Sequence, residues 1–119
     1  MLISGSDAVA AALGSALDGL ALRQRVAADD IANLETPGFT ASVVDFEGSL
    51  RAALTDGTVD AGEISPSVSR SGAPAGANGN NVDLATEQMT AMQATFRYQL
   101  LSRAVSDRLG LVTKAIGGM

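Results

Sequence analysis

Residues 13–34 read Leu-Gly-Ser-Ala-Leu-Asp-Gly-Leu-Ala-Leu-Arg-Gln-Arg-Val-Ala-Ala-Asp-Asp-Ile-Ala-Asn-Leu. Within them Leu13, Leu17, Leu20, Gln24, Ala27, Ile31 and Leu34 recur at spacings of 4, 3, 4, 3, 4 and 3. That alternation keeps one seam on one face of a helix. The spacing predicts an N-terminal helix over residues 5–35, with Ser4 and Asp7 placed to form a capping box at its start. Gly14 and Gly19 each cost about 1 kcal/mol relative to Ala inside a helix, so packing from outside must support it. The polar Gln24 and the small Ala27 weaken the seam as a simple two-stranded zipper. Packing against several neighbours suits it better.

Outward from the helix, Pro37 disfavours the α conformation at Thr36 and predicts a stop. Pro37-Gly38 fits the two central positions of a type II turn, where proline presets φ and glycine accepts a positive one. Val43, Val44, Phe46 and Leu50 follow, so residues 36–54 read as a turn and a short helix. Residues 55–81 hold three large apolar side chains, Val59, Ile64 and Val68, among five Gly, four Ser, two Pro and three Asn. Ordering a backbone costs ~1–2 kcal/mol per residue, which so little apolar area cannot offset. This middle segment is expected to be a flexible loop with room for a small β-hairpin.

Residues 82–117 carry a second long helix. Asp83 is a good N-cap, and Glu87 places negative charge in the first turns. Met89, Met92, Phe96 and Leu100 form one stripe; Leu101, Val105, Leu109, Val112 and Ile116 form an adjacent one. Gly117 and Gly118 end the helix. The resulting fold is all-α: the two terminal helices pack as an antiparallel, coiled-coil-like pair in one domain spanning residues 1–119.

Composition narrows the chemistry. Of 119 residues 46% are apolar, but 21 residues are Ala and aromatics make up only 3%. Alanine buries little area, so the chain reads as close-packed helices with an incomplete core. It contains no Cys and no His, which removes thiolate nucleophiles, disulfides, the usual near-neutral general base and the commonest metal ligands. No catalytic, cofactor-binding or metal-binding residue is expected, and the protein is not expected to be an enzyme. The adjacent acids Asp29 and Asp30 read as a solvated face. The net charge of −5 argues against nucleic acid as a partner. No run reaches the ~20 apolar residues of a membrane span, and no cleaved secretion signal is visible after Met1. The apolar face left over on the C-terminal helix marks an assembly surface, and head-to-tail contacts that do not close build rings or filaments.

The turn carries a resemblance. Ala32-Asn33-Leu34-Glu35-Thr36-Pro37-Gly38-Phe39 resembles the A-N-x-x-T-P-G-[FY] signature of bacterial flagellar rod and hook proteins. Asp45-Phe46 with Leu50, Gly79-Asn80-Asn81-Val82-Asp83-Leu84, and Arg97-Tyr98-Gln99 resemble, in the same order, three further segments of the proximal rod protein of the FlgB type. The matches cover both helical ends, roughly two-thirds of the chain. The chain departs from that pattern in a short middle segment and in Thr40, where relatives often carry Lys or Arg.

The resemblance implies a structural subunit of the flagellar basal body, within the proximal rod that carries torque from the inner-membrane ring through the periplasm. It implies assembly with itself and other rod proteins in a helical array, contact with the rod-to-ring adaptor, and uncleaved passage through the flagellar type III export apparatus. The family-motif turn is then Ala32, Asn33, Thr36, Pro37, Gly38 and Phe39. Phe46 and Leu50 form the candidate export signal, with Phe39 and Val43 as a second Phe-x-x-x-apolar pair. The candidate assembly surface combines Leu13, Leu17, Leu20, Ile31 and Leu34 with Met89, Met92, Phe96, Tyr98, Leu101, Val105, Leu109 and Val112. The competing reading of the same helices is a soluble helical-hairpin adaptor that binds a partner helix in the cytoplasm.

Overall fold

The computed structural model describes residues 5–56 and 65–117. In chain order they form α1 (Gly5–Ala32), β1 (Ser42–Asp45), α2 (Glu47–Asp56), β2 (Ser67–Arg70) and α3 (Leu84–Gly117). The capping partner Ser4, the apolar Val59 and Ile64, and Gly118 lie outside the described residues.

Helices α1 and α3 make the main contact of the fold and run antiparallel, because partners step in opposite directions. Asp30 near the end of α1 meets Glu87 in the first turns of α3. Further back on α1, the Gln24 amide donates to Thr95 Oγ1 at 2.7 Å. The predicted helical pair and its orientation are therefore present. Small residues let the two backbones approach: Ala16, Ala27 and Ala94 are all buried, alongside Leu20. Val44 and Phe46 complete this core, with Leu22, Val26, Leu50 and Leu101 around it.

Strand β1 pairs antiparallel with β2, Val44 opposite Val68 and Asp45 opposite Ser67. A small two-stranded sheet is present, but its first strand precedes the 55–81 segment in which a hairpin was expected. The β-branched pair Val43-Val44 is the local reason, since alternation suits a strand with one face on the core. Val44 is buried and Val43 exposed, while the short helix begins only at Glu47. Strand β1 thus delivers Phe46 onto α1, where its ring lies over Gly19 so closely that a Cβ there would overlap it.

Candidate functional site

The turn after α1 is built by short-range bonds. The Asn33 side chain donates to Asp29 O at 2.9 Å, and its Oδ1 accepts from the Thr36 hydroxyl at 3.1 Å. Phe39 N donates to Thr36 O at 3.3 Å across Pro37-Gly38, and Gly38 has φ 74°. A positive φ at that position is what the Pro-Gly pair anticipated.

The second sequence motif closes on the first. The Asn80 side chain is buried, and its Nδ2 donates to Asn33 O (2.9 Å), Leu34 O (3.1 Å) and Thr36 O (2.8 Å). Its Oδ1 accepts from Val82 N at 2.8 Å. One amide thus bonds three carbonyls just past the end of α1, including Leu34 O, which has no backbone donor of its own among the described residues, and steers the chain into α3. Gly38 N donates to Asn78 O at 2.9 Å. Gly79 has φ 79°, and a Cβ there would sit 3.3 Å from Gly38 Cα, so the two glycines permit a close backbone approach.

Asn81 extends the clasp toward the sheet. Its N–H donates to Phe39 O, its Oδ1 accepts from Ala41 N at 2.7 Å, and its Nδ2 donates to Ser71 O and Ala73 O. Asp83 then caps α3 by accepting from Ala85 N at 3.1 Å. Sequence reasoning noticed both motifs but assigned no contact between them. The available signal was two adjacent Asn side chains, each able to bridge distant backbone groups, just before a helix N-cap.

Asp30 corrects an expectation. Asp29 is exposed as predicted for a solvated face, but Asp30 is only 1% exposed. Its carboxylate accepts from Ser42 N (3.2 Å to the nearer oxygen) and is hydrogen-bonded to Glu87, itself buried. Burial comes first in raising both carboxyls above their ordinary range, and Glu87, with Asp30 beside it, is pushed up to about 7. Position 30 points inward because it follows the buried Ala27 on the same helical face.

Arg23 is a second residue that pattern reading missed. Its guanidinium donates to Val44 O at 2.8 Å, pairs with Glu47 at 2.6 Å and lies 4.8 Å from the Phe46 ring centroid. It thereby ties α1, β1 and α2 together.

The predicted surface residues divide into two groups. Leu20 is buried, while Leu13, Leu17, Ile31, Leu34, Leu101 and Val105 are half-buried within or beside the helical pair. Met89, Met92, Phe96, Tyr98, Leu109 and Val112 are exposed on α3, Met92 at 70% and Phe96 at 61%. Phe46 is buried and Leu50 half-buried. Among the described residues, no cluster of carboxylates is arranged to hold a metal ion. No helix among them is long and apolar enough to cross a membrane. The arrangement joins backbones and leaves an apolar stripe open.

Comparison with known proteins gives two similar relatives, both named flagellar basal body rod protein FlgB. The protein from Borreliella burgdorferi is 33% identical over 106 aligned positions, covering 72% of this chain and 78% of that one. The protein from Borrelia hermsii is 55% identical over 38 residues, 32% of this chain and 28% of that one. No protein-family model matches.

Proposed function

We propose a function from one premise: the chain belongs to the FlgB family of flagellar basal body rod proteins. It is accordingly a component of the flagellar basal body rod. Within the rod it serves as a proximal subunit, stacking with copies of itself and with other rod proteins between the inner-membrane ring and the distal shaft. The observation that carries this reading is the apolar surface that α3 leaves exposed, Met89, Met92, Phe96 and Leu100 on one face of its first half and Leu109, Val112 and Ile116 on another face further along. Apolar surface of this extent on more than one face is costly in water and calls for several neighbouring helices to cover it. Torque then passes through many buried helix contacts, and no bond is made or broken.

Changing Met92 and Phe96 together to Glu tests the stripe. Both side chains face solvent, so the monomer keeps its helicity and melts within about 0.5 kcal/mol of the parent. The strain carrying the double variant is expected to assemble no rod and to be non-motile. Normal swimming with the variant as sole copy would overturn the assignment of the stripe, and a motile deletion strain would overturn the rod reading altogether.

Passage through the flagellar export apparatus, with Phe46 and Leu50 as the recognised segment, belongs to the same proposal. In the folded chain Phe46 is buried, so recognition requires the unfolded chain. Replacing Phe46 and Leu50 together by Ala is expected to reduce secretion of the subunit. Leu20→Ala, which also damages the core, is expected to leave secretion unchanged. Equal secretion of the two variants would remove Phe46 and Leu50 from this role.

A further inference from the structure

Helix α3 rests on α1 through few buried points. Over its 34 residues the buried side chains among the described residues are Glu87 and Ala94. A helix contact that could have used Leu at its first anchor uses a carboxylic acid, and the side chain it meets, Asp30, is another. Two hydrogen-bonded carboxyls removed from water resist being charged together, so below neutral pH the pair keeps one proton between them. Asp30 is the ionised partner, since it also accepts from Ser42 N, and Glu87 is the proton donor.

We infer that Asp30 and Glu87 form a proton-dependent latch, which holds the start of α3 on the end of α1 and loosens when the shared proton is lost.

The surrounding charges do not neutralise it. On α1, Asp29 adds negative charge next to Asp30, and Asp83, the cap just before α3, does the same near Glu87. Arg23 and Arg97 line the groove that Glu87 shares, together with Asp45 of β1 and Glu47 of α2. Arg23 is engaged by Glu47 and Val44 O. Arg97 lies ten positions along α3 from Glu87, nearly three turns away. Deprotonation therefore leaves two like charges at an anchor of the helix pair, with repulsion and desolvation acting in the same direction.

The sign follows from linkage. The folded state binds the Glu87 proton more tightly than the unfolded chain, whose ordinary value is 4.5 against about 7 when folded. The latch is fully closed below the unfolded value and weakens as pH rises through this window, with no further loss once the folded value is passed.

Carboxyl carbon NMR on the intact chain reads this directly. The Glu87 signal is expected to titrate near neutrality, and hydrogen-exchange protection of residues 88–95 is expected to fall at least about tenfold between pH 5 and 8. Over the same interval Tm should drop by roughly 5–10 °C. Glu87→Gln keeps a donor toward Asp30 without titrating, so its Tm should lack this drop. Titration of Glu87 in the ordinary carboxylate range would overturn the latch whatever the variant does. So would a Glu87→Gln chain that folds and keeps the parental pH slope. None of these outcomes depends on assembly into a rod.

Discussion

Asn80→Ala is expected to lower stability by about 3 kcal/mol. The parent amide supplies both hydrogens of Nδ2 to three carbonyls past the end of α1 and takes the Val82 N–H on its oxygen. Truncation takes the Asn80 bond from Leu34 O and Val82 N, whereas Asn33 O keeps Thr36 N and Thr36 O keeps Phe39 N; each group orphaned away from water costs about 1–3 kcal/mol. Part of the loss is recovered because Thr36 is exposed and water can approach its carbonyl. In a protein whose core is mostly Ala, that loss is a large share of total stability. Thermal melting should show a Tm reduced by about 10–15 °C.

Asn80→Asp separates the hydrogen-bond account from simple packing. The shape is unchanged and the acceptor for Val82 N survives, but an oxygen now faces three carbonyl oxygens. At neutral pH this variant should be at least as unstable as Asn80→Ala. Its introduced carboxyl favours the protonated form when folded, because only that form can donate to the carbonyls. Stability should therefore recover as pH falls toward about 4, a slope that Asn80→Ala lacks. If Asn80→Asp matched the parent at pH 7, the three-carbonyl clasp would not be holding the turn.

The helices were legible in the sequence, and the clasp was not. Spacings such as Leu13, Leu17 and Leu20 are local, and a local period determines which face of a helix is apolar. Pro37-Gly38 is likewise local, since φ restriction acts on one residue at a time, and Gly38 took the positive φ expected of it. Asn80 acts across 44 to 47 residues on backbone oxygens that any sequence would offer, so no pattern of side chains announces its partners. Asp30 illustrates a different limit. Two adjacent acids usually point to water, and only the phase set by the buried Ala27 turned one of them inward. The strand at Val43-Val44 was masked because apolar positions after the turn also fit a helix. On the candidate assembly surface, periodicity grouped Leu20 with Phe96, yet one lies inside the helical pair and the other on its outside.

Gly19→Ala should show that local propensity loses to packing in this helix. Propensity alone predicts a gain of about 1 kcal/mol, since Gly is a poor helix former. At Gly14, where a Cβ would meet nothing within 4 Å, that gain should be realised, and Gly14→Ala is expected to raise stability by about 0.5–1 kcal/mol. At Gly19 the same methyl would overlap three atoms of the Phe46 ring. The ring has little room to retreat, because Leu20, Val44 and Ala94 pack into the same core and Arg23 lies over its face. Overpacking of this kind costs about 1–3 kcal/mol, and displacing the ring also forfeits part of its burial and its cation contact. The net expectation is a loss of about 2–3 kcal/mol, opposite in sign to Gly14→Ala. Adding Phe46→Leu to Gly19→Ala should restore part of that loss, giving a favourable coupling of at least about 1 kcal/mol by chemical denaturation. Additive effects of the two changes would mean that the ring does not rest on Gly19. A stabilising Gly19→Ala would mean that β1 does not bring Phe46 onto α1, and the Arg23 contacts to Val44 and Glu47 would lose their structural basis with it.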